Sequence, residues 1–184
     1  MSTPAQRKMT VDEFLVWAEG REGRWELHNG VPIAMPAERT RHAEVKFAVQ
    51  LALLQAIRKA GLPCHMLADG VGVRISQYVM HVPDALVYCG PKLPGDAIEV
   101  PNPVILAEVA SPSTRKIDAS LKLGGYFSQP SVHHYLMVDP EGPSFIHHGR
   151  QADGTILPLI VHEGTLALSP PGIELSVPDL FAAA

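Results

Sequence analysis

Two acidic residues stand where a stable sheet has no use for them. Asp84 lies in the run His81-Val82-Pro83-Asp84-Ala85-Leu86-Val87-Tyr88, and Glu108 in Val104-Ile105-Leu106-Ala107-Glu108-Val109-Ala110. Both runs are apolar, and burying an ionised carboxylate without a partner is expensive. Two such residues in consecutive strands are natural ligands for one hard cation. Carboxylate oxygens suit Mg²⁺ or Mn²⁺, and Mg²⁺ is typically held by one or two carboxylates with phosphate and water. The plainer alternative puts Glu108 at the surface and Asp84 in a turn. Glu108 lies just before Ser111-Pro112-Ser113, and Pro83-Asp84 suits a turn.

The surrounding pattern supplies the elements that must hold these residues. Thr10 followed by Glu13 is a capping box, and it predicts a short helix over 10–19 with Phe14, Leu15 and Ala18 on one face. Asn29-Gly30 inside 24–35 predicts a hairpin, with Pro32 marking an edge strand. Ala43, Phe47, Leu51, Leu54 and Ile57 recur at helical steps and predict a long helix over 39–60, closed by Gly61 and Pro63. Strands are expected at 64–68, 71–75 and 79–89, the last interrupted by Pro83. The run 104–110 reads as a strand buried on both faces. A helix follows over 114–128, with Leu121, Tyr126 and Phe127 as anchors and Gly124-Gly125 weakening it. Then come a strand over 132–138, an antiparallel meander over 144–148, 155–162 and 165–168, and a short helix over 178–181. The order predicts an α/β, or mixed α+β, chain: one domain over 1–184 with one mixed central sheet and helices packed on it.

Bulk properties bound the rest. A chain of 184 residues with 46% hydrophobic and only 6% aromatic residues folds around Leu, Val, Ile and Ala. No apolar run of membrane-spanning length and no secretory h-region occurs, so a cytoplasmic protein without membrane attachment is the expectation. The two cysteines, Cys64 and Cys89, allow at most one bridge, and reduced buried thiols are expected. The net charge of −4 argues against a chain that coats nucleic acid by bulk attraction, but not against a local basic patch.

Taken in order, the motifs resemble a known family. Pro83-Asp84, then Glu108 at the end of an apolar strand, resembles the motif that names the PD-(D/E)XK nucleases. The match is closer to their Uma branch of restriction-endonuclease-like proteins. That branch looks like E-L-x-x-G, a His before a long helix, P-D, E-V-x-S-P-S-T, D-x-x-x-K with a Tyr, and a strand ending in D-P. This chain has Glu26-Leu27-His28-Asn29-Gly30, His42, Pro83-Asp84 and Glu108-Val109-Ala110-Ser111-Pro112-Ser113-Thr114. Asp118, Lys122, Tyr126 and Val138-Asp139-Pro140 follow.

The resemblance implies a restriction-endonuclease-like core and Mg²⁺-dependent (or Mn²⁺-dependent) hydrolysis of DNA phosphodiester bonds, with Asp84 and Glu108 as metal ligands. It implies a lysine that orients water and stabilises developing negative charge. Here the chain departs from the superfamily: Ala110 stands where E-x-K expects lysine. Lys122 on the following helix is the replacement and Lys116 its competitor. Glu26 takes the place of the early glutamate, as a third ligand, as a group orienting one, or as an exposed hairpin glutamate. His42 contacts phosphate or a carboxylate behind the metal ligands, or serves only structure. Asp118 is spaced to pair with Lys122 across one helical turn. Arg39, Arg41, Lys46, Arg115 and Lys116 are the candidates for a phosphate-facing rim, with the helix N-terminus beside Arg39 and Arg41. A homodimer through the apolar strands of 132–168 is expected, since many nucleases pair two sites to cut two strands. The rival reading is an inactive nuclease fold that binds DNA or a protein partner.

The nine histidines invite a zinc reading, but the pairs His133-His134 and His147-His148 are strand neighbours that point to opposite faces. No H-E-x-x-H, C-x-x-C, dinucleotide or P-loop motif occurs.

Overall fold

The computed structural model describes residues 7–110, 118–142 and 144–181, with side chains in the second span described from 121 onward. The elements in chain order are α1 (Val11–Ala18), β1 (Trp25–His28), β2 (Val31–Ala34), α2 (Thr40–Ala60), β3 (Cys64–Ala68), β4 (Val73–Ser76), β5 (Val79–His81) and β6 (Ala85–Cys89). Then follow β7 (Pro103–Val109), α3 (Asp118–Ser128), β8 (His134–Val138), β9 (Phe145–Arg150), β10 (Ile156–Val161), β11 (Thr165–Leu168), β12 (Ile173–Ser176) and α4 (Val177–Phe181). No helix among the described residues is long and apolar enough to cross a membrane.

The local signals act as their chemistry demands. The Glu13 amide donates to Thr10 Oγ1 at 3.2 Å while the Thr10 amide donates to Glu13 Oε2 at 2.9 Å, which closes the capping box of α1. Asn29 and Gly30 both take positive φ, 51° and 83°, as a two-residue hairpin turn requires. Gly30 is also needed for space, because a Cβ there would lie 2.6 Å from Lys8 Cβ. β2, with Pro32, is an edge strand of the small sheet β2-β1-β5-β4.

The central sheet runs β10-β9-β8-β7-β6-β3. β7 and β8 are parallel and joined through α3, and the other pairs are antiparallel. Alternate residues divide its faces. Ala85, Val87, Ile105, Ala107, Val109, Leu136 and Val138 pack on α2. Leu86, Leu106, Tyr88 and Tyr135 pack with Tyr126 and Val132 on the α3 side.

Four expectations are corrected. α2 buries Val45, Ala48, Val49, Ala52, Leu53, Ala56 and Ile57, while Phe47 and Leu51 are exposed. The alanines let the helix lie close to the sheet, and their weak hydrophobic signal is outweighed by Phe and Leu when the pattern is read from sequence. Leu121 is likewise exposed at 64%, because α3 turns Lys122 and Tyr126 inward instead. The meander breaks after β10: β11 pairs with β12 as a separate hairpin that packs on α2 with α4. β12 went unread behind Ser169-Pro170-Pro171-Gly172. Finally, Cys64 and Cys89 are bridged rather than reduced. The β3–β6 register sets them directly opposite, which their spacing of 25 residues does not reveal. A cytoplasmic location therefore loses the support of free thiols.

β8 and β9 bury a histidine pair. His134 Nε2 lies 2.9 Å from the Pro170 carbonyl, so that nitrogen donates; His134 Nδ1 then accepts from His147 Nε2 at 2.9 Å. Both rings are neutral in this arrangement, and burial, helped by neighbouring imidazoles, pushes both down to about 4. The unfolded chain takes up these protons near the ordinary histidine value of 6.5, before the native state does. Stability is thus fully present above about pH 6.5 and falls as pH drops toward 4. Urea midpoints measured at pH 7.5, 6 and 4.5 are expected to fall in that order, with a shallower fall in His147→Gln. An unchanged slope in that variant would show the pair to be uninvolved.

Candidate active site

Pro83 cannot extend a ladder, so the chain leaves the small sheet after β5 and enters the central sheet at β6 within three residues. Asp84 sits at that seam. The β6–β7 register pairs Ala85 with Ala107, and one pair further out sets Asp84 across from Glu108. Two contacts fix Asp84: the Val109 amide donates to Oδ2 at 2.8 Å, and Gln50 Nε2 donates to its carbonyl at 2.8 Å. Asp84 is buried, at 5% exposed.

Three more elements close in. β1 contributes Glu26, also buried. Its Oε1 accepts from the Val82 amide at 2.8 Å and from Lys122 Nζ at 3.0 Å. Lys122 and Tyr126 are four apart on α3 and share a face. The same ammonium donates to Glu108 Oε1 at 3.1 Å, and the Tyr126 hydroxyl donates to that oxygen at 2.6 Å. Glu108 Oε2 receives no hydrogen bond among the described residues. From the first turn of α2, His42 Nε2 lies 3.6 Å from Asp84 Oδ2.

The electrostatics follow from crowding. Burial pushes Glu108 up to about 7, and the charges of Asp84 and Glu26 add to it against the pull of Lys122 and Tyr126. Burial acts on Glu26 in the same direction, yet His28, His81 and Lys122 outweigh it and hold that carboxyl far below its usual range. Lys122 is buried, but Glu108 and Glu26 outweigh the desolvation and raise its pKa. Contact with Asp84 raises His42 despite partial burial. Burial raises the Tyr126 phenol well above its usual value.

Of the residues singled out from sequence, Asp84, Glu108, Lys122 and Glu26 converge, with His42 against Asp84. Lys46 does not belong to a phosphate-facing rim. It is buried and donates to both Glu38 oxygens, at 2.6 and 2.5 Å, and to Asp69 at 3.0 Å. Arg24 pairs with the same two carboxylates. Arg41 is tied to the Pro140 carbonyl at 2.9 Å, whereas Arg39 is exposed. Arg115 and Lys116 lie outside the described residues, as does the Asp118 side chain. Two triads of donor atoms lie within 4.8 Å of one another: Glu38, His42 and Asp84, and Glu26, His28 and His81. Glu108 belongs to neither. Sequence reasoning missed His28, His81 and the site contact of Tyr126. The signal for His28 was present, since it lies two residues from Glu26 on a strand and shares its face.

A family model described as "Putative restriction endonuclease", Uma2, matches residues 11–179. This chain belongs to the Uma2 family. The Uma2 match runs from α1 to α4 and so takes in every residue of the site. A curated relative, the uncharacterized protein slr1290 of Synechocystis sp. PCC 6803, is 26% identical over 148 residues, covering 80% of this chain and 77% of its own. The fold is shared with a crystal structure from Anabaena variabilis ATCC 29413 titled "a putative nuclease belonging to DUF820". The two superpose with a TM-score of 0.74 at 17% identity, over 95% of this chain and 98% of that one.

Proposed function

We propose that this Uma2 protein is a divalent-metal-dependent endonuclease that hydrolyses DNA phosphodiester bonds at the seam between β6 and β7. One observation carries the reading: Asp84 and Glu108 oppose each other across the ladder, with a buried lysine joining Glu108 to Glu26. The seam suits a cation. Two carboxylates, Glu26 and Glu108, share the buried Lys122 ammonium, and Glu108 is still raised to about 7, first by burial and then by the charges of Asp84 and Glu26. Asp84 and Glu108 would hold the ion, and their all-oxygen donor set favours Mg²⁺ or Mn²⁺. Such an ion, when bound, supplies Lewis-acid polarisation of the phosphate and lowers the pKa of water.

The chain's own groups do the rest. The Val109 amide and Gln50 hold Asp84 in place. Tyr126 and Lys122 fix one Glu108 oxygen, and the other takes no hydrogen bond from the described residues. Lys122 brings positive charge to the place where a phosphate would gain negative charge, the task of the lysine missing at Ala110. Contact with Asp84 raises the His42 pKa and so favours its charged form beside that carboxylate.

Ala110 favours the second reading, an inactive fold that binds DNA or a protein partner. Supercoiled plasmid incubated with Mg²⁺ or Mn²⁺ is expected to be nicked or linearised, and EDTA to stop it. No cleavage, together with no Mg²⁺ or Mn²⁺ binding by calorimetry, would leave only the second reading. A homodimer belongs to this proposal. The edge strand β10 exposes Leu157, Leu159 and Ile160 at 54–61%, and light scattering reads the assembly directly.

A further inference from the structure

We propose that Glu26, His28 and His81 form a binding site for a divalent transition ion of the zinc class, distinct from the Asp84–Glu108 seam and independent of the nuclease reading. The small sheet builds it. Leu27 pairs with Met80 across β1 and β5, so the next pair sets Glu26 against His81. His28 lies two residues beyond Glu26 and shares its face. One donor atom from each of the three lies within 4.8 Å of the others.

A second observation, independent of that spacing, points to a ligand. His81 is 4% exposed, and its Nδ1 is buried without a hydrogen-bond partner. Glu26 Oε2 lies 3.8 Å from it, too long for a hydrogen bond. Buried ring nitrogens are rarely left so, and each one calls for an explanation. The two Glu26 oxygens are also divided. Among the described residues, Oε1 takes the Val82 amide and Lys122, whereas Oε2 takes His28 Nε2, at 2.7 Å. Oε2, His28 Nε2 and His81 Nδ1 are thus the three atoms that face one another.

Distances and chemistry agree on the ion. Metal–nitrogen and metal–oxygen bonds of about 2.0–2.1 Å put tetrahedral ligands about 3.3 Å apart. The observed separations from Glu26 Oε2, 2.7 and 3.8 Å, lie on either side of that value. Drawing His28 back and His81 forward by about half an ångström each meets the bond lengths. Two imidazoles and one carboxylate suit zinc-class ions rather than Mg²⁺, and three protein ligands leave a position open. Lys122 opposes a cation here, but it holds the far oxygen, so Glu26 would stand between the two charges.

Co²⁺ serves as the probe. The tag-free, full-length protein is titrated with Co²⁺ while the visible ligand-field bands are followed. With excess Mg²⁺ present to occupy the seam, the expected result is one equivalent bound with the band intensity of a four- or five-coordinate ion, displaced by Zn²⁺. His28→Gln and His81→Gln are each expected to weaken binding at least tenfold, and Asp84→Asn to leave it unchanged. His28 is partly exposed, so its variant tests the site without disturbing the core, and circular dichroism checks the His81 variant. Any of three results overturns the proposal: no Co²⁺ bound, wild-type affinity in His28→Gln, or loss of binding in Asp84→Asn.

Discussion

Asp84→Asn is expected to fold like the parent protein and to cleave plasmid DNA at less than about a hundredth of its rate. The substitution keeps an oxygen where the Val109 amide needs one, so the buried hydrogen bond survives and only the charge is removed. Asp84→Ala is the harsher test. It abolishes cleavage too, but it strands the Val109 amide and costs about 1–3 kcal/mol of stability. Glu108→Gln follows the same logic, since an amide oxygen still accepts from Tyr126. The measurement is the nicking rate in Mg²⁺, with circular dichroism and thermal melting alongside. Either variant cutting as fast as the parent protein would remove the seam from the chemistry.

Lys122→Met gives the second large effect, and it reaches stability as well as cleavage. The ammonium is the shared donor to Glu26 and Glu108, both inside the protein. Removing one partner of a buried ion pair typically costs about 3–5 kcal/mol, because the charge left behind has no compensation. The deficit has a pH signature. Glu108 has a folded value of about 7, above its ordinary 4.5, so the native state binds this proton more tightly than the unfolded chain. The Glu108 contribution is favourable below about pH 4.5 and is lost as pH rises through 7. Without Lys122 that loss deepens, so the urea midpoint of Lys122→Met should lie further below the parent protein at pH 8 than at pH 5.5. An equal deficit at both pH values, or one under about 1 kcal/mol, would show that Lys122 does not compensate the two carboxylates.

What could be read from sequence follows from how far each contact reaches along the chain. Caps, hairpin turn and strand runs are local and were legible at Thr10, Asn29-Gly30 and 104–110. Asp84 and Glu108 were legible because a carboxylate inside an apolar strand breaks the pattern of its own neighbours. Lys122 and Glu26 came only through the resemblance, since nothing in their local sequence separates them from solvated surface residues. His28 and His81 lie 53 residues apart and meet only through the β1–β5 register. The cysteine bridge has the same origin. The buried face of α2 was misplaced for a different reason: close packing there is achieved by small side chains, which a search for large apolar residues passes over.

Glu26 comes from one sheet and Glu108 from the other, and α3 ties the two together through a single ammonium. Under the proposed function, alignment of these acids is therefore a property of how the two sheets dock. A change that slackens the grip between them, even far from Asp84, should raise amide hydrogen exchange in β1 and β5 and slow cleavage together.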